Sequence, residues 1–176
     1  MVRISKSGQV WVETVVYTLV GLAVIGLLLA VAKPKIDSIR DKMVIEQSMD
    51  ALNTFSDTIF KVQRAPGNRR VVDLKVSQGK MVFDLDHDMI NWSLPSDYQF
   101  SQPDVIVPIG SLNVLTKTGG SGSDWLVVLS MSYAIDLQYG EQTTGVKEIN
   151  SAPMPYSLKV ENLGEEKGNI VVQISE

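Results

Sequence analysis

The feature that most constrains this chain is an uncharged segment near its N-terminus. It runs for 19 residues, from Thr14 to Ala32, with Glu13 before it and Lys33 after it. As a helix the segment is about 28 Å long, close to the roughly 30 Å thickness of the hydrocarbon core of a bilayer. Because apolar groups surround this helix on every side, the sequence predicts a transmembrane helix. A buried core helix of a soluble protein is the alternative.

A short basic leader precedes the apolar segment. It carries Arg3 and Lys6 and ends in Gly8, which Gln9 follows. A secretory signal has its small-residue cleavage site after the apolar run, and the Ala-Val-Ala sequence at 30–32 offers one. The uncharged segment is longer than the core of an ordinary signal, however. Conventional cleavage at that point therefore remains the less favoured alternative.

The leader ending in Gly8, Gln9 after it, Glu13 and the contiguous hydrophobic helix together resemble archaeal type IV pilins with a class III signal peptide. This resemblance implies that a membrane prepilin peptidase cuts between Gly8 and Gln9, and that the hydrophobic segment stays on the protein. We accordingly divide the chain into a prepilin leader peptide at 1–8, a transmembrane or filament-core helix at 9–32, an amphipathic stalk helix at 33–65 and an extracytoplasmic β domain at 66–176.

Glu13 places a carboxylate at the edge of the apolar helix. Such a charge is costly in an apolar environment unless a cation compensates it, and a new α-amino group on Gln9 is a suitable cation. The resemblance implies that Glu13 pairs in this way in the filament and sets the register of the subunits. The alternative is that Glu13 marks the helix boundary in the headgroup region.

The helical pattern continues beyond the apolar segment and becomes amphipathic. From Ile36 to Val62 apolar residues recur mostly at spacings of three and four, and residues 65–68 end the pattern. Pro34 lacks a backbone donor and crowds the carbonyl of Ala30, so we expect a kink or local melting there. Pro34 is our candidate helix hinge, with a static kink as the alternative. The apolar face serves either as core beneath the β domain, which we favour, or as a seam to another subunit.

From Arg70 onward the apolar period changes to two, which predicts β-strands. We predict a hairpin between 72–76 and 81–85, and a closing hairpin between 158–160 and 170–174. The odd positions from 125 to 137 are all apolar, which predicts one long strand with a buried face. The remaining predicted strands lie at 90–94, 105–107 and 112–118, the last pairing with the long strand.

These patterns predict an α+β fold. A long N-terminal hydrophobic and then amphipathic helix, similar to a type IV pilin stalk, precedes seven or eight antiparallel strands. We expect the strands to form a small sandwich or a curled sheet laid on the stalk.

The β domain offers only weak candidate sites. Asp84, Asp86 and Asp88 are spaced like the start of a calcium loop, but Met89 stands where such a loop needs glycine. We therefore interpret the three as solvated turn carboxylates. His87 lies in the same turn, and with no second histidine and no cysteine we interpret it as a surface residue.

Asn91 begins the only N-x-S/T sequon, which makes it a possible N-glycosylation site. Its place in a predicted strand leaves modification open. We assign no catalytic residue, cofactor or metal, because the chain lacks cysteine and has no convincing pair of nucleophile and base. The formal net charge of −4 and the absence of long basic runs argue against a nucleic-acid partner.

The resemblance implies a structural subunit, a pilin of an archaeal type IV pilus-like filament used for adhesion or surface contact. Its partners would be other pilin subunits, the membrane, the prepilin peptidase and the pilus assembly machinery. We expect a membrane-anchored precursor with the C-terminal domain outside and a mature form in an extracellular filament. The positive-inside rule favours the opposite orientation, because four cations follow the apolar segment closely: Lys33, Lys35, Arg40 and Lys42. The alternative function is a single-pass, membrane-anchored extracytoplasmic binding module that does not polymerise.

Overall fold

The computed structural model describes residues 6–120 and 122–176, so part of the predicted leader, with Arg3, lies outside the described residues. One long helix, α1, runs from Lys6 to Val62, and within the described residues ten strands follow it. The chain divides into two compact units, one ending at Ile39 and the other running from Arg40 to Glu176. The predicted fold class, a long N-terminal helix followed by mainly antiparallel sheets, is confirmed.

Helix α1 is continuous through Pro34, which lies inside it. A proline in a helix interior removes one backbone hydrogen bond and costs about 3 kcal/mol. Pro34 therefore does not end the helix, and its role as a hinge stays a prediction. The helix ends at Val62, where the side-chain amide of Asn68 donates to the carbonyl of Lys61 at 2.8 Å and Gly67 turns the chain with a φ of 76°.

The strands form two sheets. Their bounds are β1 (Arg69–Leu74), β2 (Lys80–Asp84), β3 (Met89–Ser96), β4 (Ile106–Ile109), β5 (Leu112–Thr118), β6 (Trp125–Ser132), β7 (Asp136–Tyr139), β8 (Val146–Asn150), β9 (Tyr156–Glu166) and β10 (Asn169–Ser175). One sheet has the order β1-β9-β10-β7 and the other β4-β5-β6-β3-β2-β8. The pair β10–β7 is parallel, and the other named pairs are antiparallel.

The predicted hairpin between 72–76 and 81–85 is wrong. Strand β1 pairs with β9 in the four-stranded sheet, and β2 lies between β3 and β8 in the six-stranded one. The connecting residues cross between the sheets: the carbonyl of Val76 accepts from Ala152 N–H at 3.0 Å, and that of Gln78 from the Trp92 indole at 3.0 Å. Val76 is buried along this crossing, so the alternation of apolar residues continues beyond Leu74, where β1 ends.

The predicted single strand at 125–137 is also wrong, because it is two strands in different sheets. β6 ends at Ser132 and β7 begins at Asp136. Asp88 fixes the bend between them: its carbonyl accepts from Tyr133 N–H at 2.9 Å, and its carboxylate accepts from Leu137 N–H at 2.9 Å. Tyr133 and Leu137 remain buried, so the alternation of apolar residues continues through a change of sheet.

Two predicted pairings are confirmed. β5 and β6 are antiparallel neighbours, with Thr116 opposite Val127. β9 and β10 form the closing hairpin, and their ladder begins with Asn169 opposite Glu166. The predicted strand at 90–94 lies inside β3, and that at 105–107 overlaps β4.

One hydrophobic core joins the second half of α1 to both sheets. The helix contributes buried residues that recur mostly at three- and four-residue spacings: Ile45, Leu52, Phe55, Ile59 and Val62. Phe55 meets Phe83 of β2 edge to face, with ring centroids 6.1 Å apart. The amphipathic face from Ile45 onward is therefore core, which is the favoured of the two predicted uses.

Candidate functional site

The first half of α1 presents apolar side chains to its surroundings on every side. Trp11 is 71% exposed and Tyr17 is 73% exposed, and the large apolar residues between Val10 and Val31 are exposed as well. The most apolar 18-residue window of the helix has a mean hydropathy of 2.6, and none of it is buried in the chain. By length and composition this helix can cross a membrane.

The two threonine hydroxyls within this surface are satisfied by the helix itself. Thr14 Oγ1 donates to the carbonyl of Val10 at 2.9 Å, and Thr18 Oγ1 donates to the carbonyl of Thr14 at 2.8 Å. Each bond reaches back one turn, the usual arrangement for threonine inside a helix. These hydroxyls therefore need no water, which suits a surface covered by lipid or by other helices.

The predicted processing site, Gly8 and Gln9, lies in the opening turns of α1, which begins at Lys6. Cleavage between them stays a prediction.

Glu13 lies on α1 one turn after the backbone of Gln9, and its side chain is exposed. The apolar surface begins around it, with Val12 at 54% exposure and Val16 at 49%. The predicted role of Glu13 in setting the register of subunits stays a prediction.

A smaller exposed apolar stripe follows on the same helix. Ile36 is 63% exposed, Ile39 is 60% exposed and Met43 is 53% exposed, in contrast to the core residues from Ile45 onward. Their spacing of three and four places them on one helix face. This stripe is the part of the amphipathic segment that the chain's own core does not use.

Asp41 anchors α1 to the loop that follows β3. Its carboxylate accepts a hydrogen bond from the backbone N–H of Asp97 at 2.6 Å. The sequence analysis gives Asp41 no role. Nothing in the sequence pairs it with Asp97, because the contact joins residues 56 positions apart.

The acidic turn at 84–88 is structural. Asp84 accepts from both the backbone and the ring of His87, Asp86 accepts from Gly145 N–H at 3.0 Å, and Asp88 accepts from Leu137 N–H. The Asp84 carboxylate beside the ring raises the pKa of His87, and the hydrogen bond from His87 lowers the pKa of Asp84. The interpretation of these carboxylates as merely solvated missed their backbone partners.

Asn91 lies in β3, an inner strand of the six-stranded sheet, between Val82 of β2 and Ser130 of β6. Its neighbours along the strand, Ile90 and Trp92, face the core, so Asn91 lies on the opposite face and is half-buried. N-glycosylation at Asn91 stays a prediction, and this position in a continuous sheet does not favour it.

Two polar residues that sequence reasoning passed over are almost fully buried. Asn162 of β9 is 2% exposed and Ser48 of α1 is 2% exposed. Asn162 bonds to the end of α1, whereas Ser48 Oγ has no hydrogen-bond partner among the described residues. A short polar residue within an apolar repeat is the only sequence signal that could have singled them out.

Comparisons with protein-family models, with curated proteins and with solved structures return no match to this chain. Over residues 6–120 and 122–176, no group of three His, Asp or Glu side chains is arranged to hold a metal ion. The features that bear on function are therefore the apolar surface of α1, Glu13 and the folded unit that follows.

Proposed function

We propose that this chain is a structural subunit of an archaeal type IV pilus-like surface filament. In this account a prepilin peptidase removes residues 1–8, and the apolar surface of α1 between Val10 and Val31 packs against the same surface of other subunits. The filament serves adhesion or surface contact and involves no catalytic step. Before assembly the same helix anchors the precursor in the membrane, with the β domain outside.

One observation carries the proposal. A helix whose apolar window is wholly unburied by its own chain precedes a unit with a complete core of its own. Exposed apolar surface on this scale requires either lipid or protein cover. Segments that are stable in lipid can exchange lipid for one another through close packing, so a single surface serves both the anchored precursor and the filament.

Glu13 favours the filament over a simple anchor. A simple anchor does not require a carboxylate at the start of its apolar surface, whereas in a filament that packs subunits around it the charge is costly unless a cation pairs with it. Removal of residues 1–8 creates an α-amino group on Gln9. This group is positively charged and lies one helical turn from Glu13 along the helix axis. Pairing between the two groups, within or between subunits, offsets the cost and sets the register of packing.

The alternative is a single-pass, membrane-anchored binding module that does not polymerise. The same apolar helix supports it, because the helix alone suffices for anchoring. This alternative requires neither cleavage after Gly8 nor the charge of Glu13. The two proposals therefore make opposite predictions for a variant that removes only that charge.

The test is Glu13→Gln, which keeps the size and polarity of the side chain and removes its charge. The matched control is Glu46→Gln, at an exposed position further along α1 where Glu46 pairs with Lys42 at 3.8 Å. Filaments sheared from cells and quantified by electron microscopy and immunoblotting should fall at least about tenfold for Glu13→Gln and stay unchanged for Glu46→Gln. Equal filament yields for both variants, or filaments that lack the chain, would contradict the proposal.

A further inference from the structure

A cavity lies between α1 and the connection from β1 to β2. It measures about 180 Å³ and is lined by Gln47, Ser48 and Ala51 of the helix and by Lys75 and Ser77 of the connection. It is open to solvent on one side, because Gln47, Lys75 and Ser77 are exposed, and Ser48 is its buried floor. A liquid water occupies about 30 Å³, so the cavity has room for a group of several heavy atoms. All of its lining residues belong to the unit from Arg40 to Glu176, and none contributes to the apolar surface of α1.

Ser48 is the unusual member of this lining. Its side chain is 2% exposed, and its Oγ has no hydrogen-bond partner among the described residues. A buried hydroxyl without a partner costs about 1–3 kcal/mol. Ser56 Oγ also lacks a partner within the described part of the chain, but of the two hydroxyls only that of Ser48 lines the cavity. A ligand that accepts a hydrogen bond inside the cavity would satisfy it.

The charge of the lining selects the ligand. Lys75 contributes an ammonium group that forms no ion pair with any carboxylate of the described residues. Neither Asp nor Glu lines the cavity, so a metal cation has no ligands of the preferred type. One ammonium and two serine hydroxyls form a donor set suited to an oxyanion.

A second, wider void of about 410 Å³ shares Lys75 and Ser77 with the first. Its other lining residues, Ser151, Ala152 and Pro153, add one hydroxyl and two small apolar surfaces. A molecule with its charged group beside Ser48 can therefore extend its body past Lys75 into this void. The pair of voids fits a compact organic anion better than a bare ion.

We propose that this cavity binds the carboxylate or phosphate group of a compact organic anion. Lys75 supplies the opposite charge, Ser48 and Ser77 donate hydrogen bonds, and the body of the ligand lies along Ser151 to Pro153. The site is independent of processing and polymerisation, so it gives the β domain a recognition role whether or not the chain forms a filament.

The test uses the full chain in nonionic detergent, with backbone amide resonances of Gln47, Ser48 and Ser77 followed by NMR. The probes are glycerol 3-phosphate and glucuronate as organic anions, inorganic phosphate as the bare ion and glucose as the neutral control. We expect saturable shifts with the anions, a tighter apparent affinity for at least one organic anion than for inorganic phosphate, and no shift with glucose. Comparison of glycerol 3-phosphate with glucuronate distinguishes a phosphate from a carboxylate ligand.

Two variants test the assigned contacts. Lys75→Gln should weaken binding about tenfold or more, and Ser48→Ala about five- to tenfold. The matched controls are Ser56→Ala, a second buried serine of α1 outside the cavity lining, and Lys80→Gln, whose ammonium pairs with Glu148 at 2.8 Å.

The controls should bind the probes as the unmodified chain does. No saturable shift with any anion, or equal binding by the Lys75 and Ser48 variants and the controls, would overturn the proposal and leave a water-filled cavity. The binding measurement does not depend on filament yield. Failure of the binding-site proposal is therefore distinguishable from failure of the proposed function.

Discussion

The side-chain amide of Asn162 donates a hydrogen bond to the carbonyl of Val62 at 3.1 Å, and so joins β9 to the last residue of α1. Carbonyls in the last turn of a helix have no partner within the helix, so an outside donor stabilises the end of α1. The oxygen of the same side chain is also bonded: Asn162 Oδ1 accepts a hydrogen bond from Gly164 N–H at 2.8 Å.

The register between β9 and β10 shifts at this point. Val171 pairs with Gly164 and Val172 pairs with Asn162, so Leu163 is left unpaired as a bulge.

Replacing Asn162 by alanine should therefore lower the free energy of unfolding by about 1–3 kcal/mol, because a buried carbonyl and amide lose their partner. Guanidinium unfolding of the full chain in detergent, followed by tryptophan fluorescence, measures the change. Asn53→Ala, at an exposed position on α1, is the control and should change stability by less than about 0.5 kcal/mol. A similar loss in both variants would show that the bond to Val62 contributes nothing specific.

The contact between Asp41 and Asp97 predicts a local effect. Asp41→Ala should lower the free energy of unfolding by about 1 kcal/mol and speed hydrogen exchange of the Asp97 amide, because that N–H loses its acceptor. Asp50→Ala, which removes another acidic side chain of the same helix, should leave exchange at Asp97 unchanged. Exchange that is equally slow in the Asp41 variant would mean that the bond does not form in solution.

The pair of Asp84 and His87 predicts a pH dependence. The ring Nδ1 lies 3.0 Å from the Asp84 carboxylate, so the pKa of His87 should lie above 6.5 in the folded protein. Because the pKa of His87 is raised and that of Asp84 is lowered, the pair stabilises the fold when both groups are charged. This contribution is lost as pH rises through the folded-state pKa of His87, and it is lost again as pH falls through that of Asp84.

An NMR titration of the His87 ring checks the direction of this shift. Asp84→Asn should lower the pKa of His87 toward its ordinary value, whereas Asp86→Asn should have a smaller effect because Asp86 acts on the ring only at longer range. A pKa of His87 at or below 6.5 in the unmodified protein would contradict the contact.

Gly79 predicts a steric effect that can be separated from backbone strain. Its φ is 74°, and an added Cβ would meet the carbonyl oxygen of Ser93 far inside van der Waals contact. Gly145 also has a positive φ, 90°, but an added Cβ there meets nothing within 4 Å. Gly145→Ala should therefore cost only about 1–2 kcal/mol of backbone strain, and Gly79→Ala should cost clearly more. Equal melting temperatures for the two variants would exclude the close approach to Ser93.

Gly21 and Gly26 provide a test of helix packing that is free of intramolecular effects. An added Cβ at either position meets nothing within 4 Å in the chain, and both glycines lie outside the unit from Arg40 to Glu176 that holds the core. If other subunits pack closely against these glycines, Gly21→Leu and Gly26→Leu should reduce filament yield while leaving the melting temperature unchanged. Leu22→Ala is a control for a general change in this surface. Unchanged filament yields in both leucine variants would show that neither glycine lies at a close contact.

The parts of the fold that follow from local pattern were predictable. The uncharged run up to Ala32 and the repeat from Ile36 to Val62 predict one long helix, and the period of two beyond Arg70 predicts strands. Partners that are distant in the chain were not predictable. The alternation through Tyr133 looked like one strand because the chain keeps one face on a common core while it changes sheet at Asp88.

The residues of the candidate site were likewise predictable where their signal is local and not where it depends on distant partners. Glu13 and the apolar surface are local features and were recognised, and so was the leader ending in Gly8. The buried Ser48 became apparent only when α1 and the β1–β2 connection were brought together around a cavity. Asn162 likewise gained a role only from a partner 100 residues away.

The central claim is that the chain is a prepilin-like precursor trimmed after Gly8, and its N-terminal residue tests this most directly. The protein should be recovered from its native membrane, or from a host that carries an archaeal prepilin peptidase, and measured by intact-mass and terminal-peptide mass spectrometry. We predict a mature chain that begins at Gln9 and retains the apolar helix. An intact Met1 would contradict the account and favour the plain membrane anchor, and a chain that begins just after Ala32 would contradict both by releasing the folded unit.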